Sequence, residues 1–92
     1  MAYDIQAATV TEASVAVNKR ARVKGVAYVT NGTAGTLTIK DGGSGGATVL
    51  LLNTPAVADS YDLMIPDNGI LCSTNVYVAV SNVTSVTVLY EG

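Results

Sequence analysis

Hydrophobic and polar residues alternate with a period of two along most of this chain. The clearest case is Thr36-Leu37-Thr38-Ile39-Lys40, the repeat of a strand with one dry face and one wet face. Asp41-Gly42-Gly43-Ser44-Gly45-Gly46 interrupts it. Ala47 to Leu52 then resumes as a nearly continuous apolar run, which predicts a strand buried on both faces or covered by a partner. Gly35 to Leu52 therefore reads as strand, glycine turn, strand, and the remaining elements are expected to pack around this hairpin.

Arg20 to Thr30 predicts a long strand. Ala21, Val23, Gly25, Ala27 and Val29 fall on one face, and Arg22, Lys24, Val26 and Tyr28 on the other. The second face changes from charged to apolar along its length, and Gly25 marks a bulge or a close backbone approach. Asn31-Gly32-Thr33-Ala34-Gly35 is expected to close a hairpin, because Asn and Gly tolerate positive φ. Pro55 fixes a loop. Ser60 to Ile65 alternates again, with Tyr61, Leu63 and Ile65 inward and Asp62 and Met64 outward. Pro66-Asp67-Asn68-Gly69 is a turn, followed by a short strand at Ile70-Leu71-Cys72. Val76, Val78 and Val80 alternate with Tyr77 and Ala79. Asn82 to Ser85 turns the chain into a last strand carrying Val86, Val88 and Tyr90, so that a final hairpin seals one sheet. Residues 1–18 mix helix formers with Thr and Val. They read as an N-terminal arm of one or two short strands, which either reaches a neighbouring subunit or pairs within its own sheet. The expectation is one all-β domain over residues 1–92. It is a small antiparallel β-sandwich or jelly-roll-like fold of about seven or eight strands.

Composition sharpens this picture. The chain is 49% hydrophobic and 13% charged, with no Trp and no Phe. Either this content is largely Ala and Val, which need little room, or some of it is covered by other subunits or by a larger assembly, the reading that so few charges favour. The net charge of −2 argues against bulk attraction to nucleic acid. The charge is uneven, however: Lys19, Arg20, Arg22 and Lys24 are four of the five cations, leaving Lys40 against seven acids elsewhere. Such a cluster suits a basic strand edge that discourages stray pairing or meets an acidic partner. There is no signal-peptide pattern and no apolar run of the ~18 residues a membrane helix needs, so production in a reducing cytoplasm, without a membrane partner, is expected.

Candidate chemistry is sparse. The glycine run at 42–46 lacks the following helix of a phosphate-binding loop and the internal acid of a calcium-binding repeat, so it reads as a hairpin tip. Asp59, Asp62 and Asp67 form the densest acidic group, but they fall on a loop, a strand face and a turn, which suits surface solvation better than paired acid–base catalysis. The single cysteine, Cys72, has no histidine to activate it, since the chain contains none. The expectation is a protein that is not an enzyme, with no cofactor and no metal.

Four stretches carry a resemblance: Arg22-Val23-Lys24-Gly25-Val26, Gly35-Thr36-Leu37-Thr38-Ile39-Lys40-Asp41-Gly42, Ile65-Pro66-Asp67-Asn68-Gly69-Ile70 and Val86-Thr87-Val88-Leu89-Tyr90-Glu91. In style they resemble small virion structural proteins of tailed bacteriophages, particularly head decoration (cement) proteins. That resemblance implies a non-enzymatic protein of the virion, made in the host cytoplasm and placed on the capsid surface. There it would bind between major capsid subunits and self-associate, a homotrimer being favoured. Lys19, Arg20, Arg22 and Lys24 are the candidate capsid or subunit contacts. Tail-fibre modules, which can bind a receptor or carbohydrate, and head-to-tail adaptors look similar and stand as the alternative.

Overall fold

The computed structural model describes residues 5–66 and 69–92, and among them nine strands form two antiparallel sheets with no helix. The strands are β1 (Gln6–Val10), β2 (Ser14–Val17), β3 (Ala21–Thr30), β4 (Gly35–Asp41), β5 (Ala47–Thr54), β6 (Ser60–Met64), β7 (Ile70–Cys72), β8 (Val76–Ser81) and β9 (Val83–Glu91). One sheet runs β1-β9-β3-β6, with β7 following β6 along the same side of β3. The other runs β2-β8-β4-β5. The two sheets form the expected β-sandwich.

The core lies between them and is made of small branched side chains. Val23, Val26, Val86 and Val88 of the first sheet and Val17, Leu37, Ile39, Val76 and Val78 of the second are buried. β-Branched residues suit the pleated surface and lose little freedom there. They also let two sheets meet without any Trp or Phe.

The β4–β5 hairpin forms as the alternation predicts, with Leu37 opposite Leu52 and Ile39 opposite Leu50. β5, however, is an edge strand, and Leu51 is 56% exposed. The unbroken apolar run does not come from burial on both faces within one copy.

Two expected hairpins are instead corners between the sheets. β3 belongs to the first sheet and β4 to the second, so Asn31–Gly35 is a crossover. β8 and β9 are likewise split between the sheets, and the chain turns at Asn82, which takes a φ of 59°. β3 and β4 each already have neighbours on both sides, so neither has an edge left for the other. The corners meet: Asn82 Nδ2 donates to Ala34 O at 3.0 Å.

Gly25 does sit at a bulge, and the bulge reverses the strand faces. Val23 pairs with Tyr90 and Gly25 with the adjacent Leu89, leaving Lys24 as the extra residue. Ala21 and Val23 point into the core before it, and Val26 and Thr30 after it, while Val29 is exposed. The charged-to-apolar change along one side of β3 is this reversal.

The opening residues from Gln6 onward belong to the sandwich itself, with β1 paired to β9 and β2 to β8. The loop between β5 and β6 is fastened by buried Thr30. Its hydroxyl donates to Val57 O and accepts the Asp59 N–H at 3.0 Å, and its own N–H donates to Asp59 O at 2.9 Å. In the Pro66–Gly69 turn, Gly69 N–H donates to Pro66 O at 3.2 Å and Gly69 takes a φ of 73°; Asp67 and Asn68 lie outside the described residues.

Candidate functional site

The four clustered cations fall at the start of β3, two in the strand and two before it. Arg22 and Lys24 alternate with buried Ala21 and Val23, so both lie on the outer face of the first sheet. Arg22 is opposite Glu91 on β9 and Leu71 on β7. Lys24 Nζ reaches Glu91 Oε1 at 3.8 Å, a long and largely covered ion pair. Lys19 and Arg20 are exposed in the turn before β3, and Lys19 Nζ donates to Gly92 O at 3.4 Å. The result is a short basic stripe with Glu91 at its centre, positioned by β3 and the C-terminal end of β9. It can meet an acidic surface.

The most organised polar constellation lies at the opposite sheet. Asp41, at the end of β4, accepts from Thr74 N–H at 2.8 Å, Ser73 N–H at 2.9 Å, Ser73 Oγ–H at 3.0 Å and, more weakly, Asn75 N–H at 3.4 Å. Asn75 replies: its Oδ1 accepts Gly42 N–H at 3.2 Å and Gly43 N–H at 3.0 Å. Gly42 carries a φ of 105°, a conformation that a side chain disfavours and that aims this N–H at Asn75. Lys40 Nζ donates to Ser44 O at 3.0 Å and closes the tip. The Thr74 and Ser73 backbone donors hold the Asp41 carboxyl below the ordinary aspartate range. This clamp fastens the glycine tip to the β7–β8 loop. Sequence reading takes Asp41 only as the start of a turn, because its partners lie 32 to 34 residues on.

Of the acidic residues at 59, 62 and 67, the two that are described lie apart, on a loop and on a strand. Asp59 Oδ1 accepts Ser60 N–H at 2.8 Å within its own loop, Asp62 is exposed on β6, and Asp67 lies outside the described residues. Among the described residues no group of three or more His, Cys, Asp and Glu could hold a metal ion. Cys72 is fully buried, and that burial, reinforced by the Asp41 charge, pushes its thiol up to about 11. Tyr28 and Tyr61, opposite one another on β3 and β6, stack with centroids 5.7 Å apart and rings inclined by 28°. Both are half-buried, as a packing pair would be.

No family model, curated protein or solved structure matches the chain.

Proposed function

We propose that the chain is a non-catalytic structural protein of a phage virion, one that decorates and stabilises the capsid by binding between major capsid subunits. The observation that supports it is the set of large apolar side chains one copy leaves exposed. A free protein of 9.4 kDa exposes about 5,000 Å², and this chain exposes 4894 Å², so one copy completes its fold. Even so, Ile5, Leu51, Val57 and Met64 are each more than half exposed, on a chain only 13% charged. Side chains of this kind are stabilised by cover from neighbours. The sequence resemblance supplies the kind of neighbour, and many weak contacts on one lattice add to a large stabilisation. Lys19, Arg20, Arg22 and Lys24 then face an acidic capsid surface.

Co-sedimentation with expanded heads of the encoding phage tests this. The protein is expected to pellet with heads and to be released as salt rises, and replacing the four cations with Ser is expected to weaken binding and flatten the salt dependence. A protein that stays in the supernatant at every salt concentration would refute capsid decoration. Immunolabelling confined to the tail would instead favour a fibre or adaptor role.

A further inference from the structure

We propose that Asn31 is a self-modification site: in the folded chain the Gly32 backbone nitrogen displaces ammonia from the Asn31 side-chain amide, and water then opens the resulting succinimide to aspartate and isoaspartate. The inference stands on the crossover between the sheets and is independent of the virion reading.

The atoms balance with water as the only co-reactant. The Gly32 nitrogen bonds to Asn31 Cγ and closes the succinimide ring. The bond from Cγ to the side-chain nitrogen breaks, and that nitrogen leaves as ammonia with the proton given up by Gly32. Water then attacks one of the two ring carbonyls. Breaking the new bond at Cγ leaves aspartate. Breaking the original peptide bond at the Asn31 carbonyl carbon leaves isoaspartate, in which the main chain runs through the former side chain.

The fold singles out this asparagine. It is exposed, so water reaches it. The residue after it is glycine, so no side chain shields the attacking nitrogen. Among the described residues no hydrogen bond engages the Gly32 N–H, so none has to break. The Thr33 N–H donates to Asn31 Oδ1 at 3.0 Å and folds the side chain back along its own backbone. That turn limits the freedom of the ring-forming atoms. It also places a donor on the oxygen where negative charge builds as the nitrogen attacks.

The other described asparagines lack this combination. Asn53, Asn75 and Asn82 precede Thr54, Val76 and Val83, β-branched residues at the ends of β5, β8 and β9. Asn75 Oδ1 and Asn82 Nδ2 are also tied to other segments. Asn18 precedes the long side chain of Lys19. Asn68, which also precedes a glycine, lies outside the described residues.

Isoaspartate adds one backbone atom to a crossover that is pinned on both sides. Before it, the Thr30 N–H donates to Asp59 O at 2.9 Å. After it, the Gly35 N–H donates to Thr54 Oγ1 and Ala34 O accepts from Asn82 Nδ2, both at 3.0 Å. The longer chain strains these fastenings.

Peptide mapping of the intact folded chain, aged at mildly alkaline pH, tests the site. Cleavage after Lys24 and Lys40 isolates Gly25–Lys40, whose sole asparagine is Asn31, and leaves Asn68 in another fragment. Gly25–Lys40 is expected to gain about 1 Da and to divide into aspartate and isoaspartate forms. Conversion should be at least about tenfold faster than at Asn53, Asn75 or Asn82, whose following residues shield the nitrogen. Hydroxylamine, which cuts a chain at a succinimide, should break it between Asn31 and Gly32. Asn31→Ser keeps an acceptor for the Thr33 N–H and should abolish both signals. Asn31→Asp carries the new charge without the extra atom, and the isoaspartate form should melt below it; equal melting would refute the strain at the crossover. A Gly25–Lys40 peptide that stays unchanged in the folded protein while the urea-unfolded chain converts would overturn the proposal, as would conversion no faster at Asn31 than at Asn53.

Discussion

Asp41 and Thr74, 33 residues apart, are joined by the shortest hydrogen bond in the clamp that holds the glycine tip, with the Thr74 N–H donating to Asp41 Oδ1 at 2.8 Å. Every donor around that carboxyl favours its charged form, so the folded pKa lies below the unfolded value of 3.8. The charge-dependent stabilisation is therefore complete above 3.8 and is lost as pH falls through the lower, folded value. Asp41→Asn should lower the melting temperature near neutral pH, since its amide brings N–H groups toward donors. The gap between the two proteins should narrow in acid below 3.8. Thermal melts across that range decide it: a gap that stays constant into strong acid would show that the carboxylate charge contributes nothing.

Gly35 opens β4 where the strand passes against the end of β8. A Cβ built on it meets the Ser81 carbonyl oxygen and carbon and the Asn82 side chain. Two of those atoms are backbone at a sheet corner and cannot swing aside. Gly35→Ala should therefore destabilise the fold by about 2–4 kcal/mol, in the range of overpacking with a backbone shift. Chemical denaturation measures this directly. A loss below about 0.5 kcal/mol, typical of surface changes, would mean that the corner is loose.

The period-two signal made the strands legible, because a sheet with one dry face writes its register into the sequence. Tyr61 and Leu63 against Asp62 and Met64 fall as the alternation says. Which strands share a sheet was not legible. Asn82 looks like a hairpin residue, and only the paths of β8 and β9 make it a corner. The reversal at Lys24–Gly25 is half legible: the glycine announces a bulge, but the period of two carries no mark of the change of face. Among the candidate contacts, Arg22 and Lys24 share a face as their spacing implies. The Asp41 clamp was invisible because its partners are distant in the chain and consist largely of backbone N–H groups.

Leu37 and Leu51 compare the same side chain in two settings. Leu37 is fully buried between the sheets, and Leu51 is exposed on the outer face of β5. Leu37→Ala removes apolar contact and leaves a cavity in a tightly packed Val-rich layer, at about 2–5 kcal/mol. Against a total of about 5–15 kcal/mol for a domain of this kind, that change should leave the protein near its unfolding threshold at physiological temperature. Leu51→Ala should alter the stability of a single copy by no more than about 0.5 kcal/mol. Urea titration of dilute samples separates the two, and similar losses for both would mean that the division into inner and outer faces on β4 and β5 is wrong.

Cys72 offers a probe of how the sandwich opens. It lies in β7 opposite Ala21, fully buried, with its thiol pushed up to about 11 by desolvation first and by the Asp41 charge second. The thiolate is the reactive form, so both burial and protonation protect it near neutral pH. β7 is only three residues long and pairs with β3 alone, so it is the strand with the least to hold it. Alkylation of the native protein should be slow, and its rate should report opening of this corner rather than the intrinsic thiol chemistry. In a denaturant series, labelling should begin below the global transition if β7 lifts off locally, and coincide with it if the sandwich opens as one unit. Fast labelling in the absence of denaturant would contradict the buried position of Cys72, and with it the inward face assigned to β7.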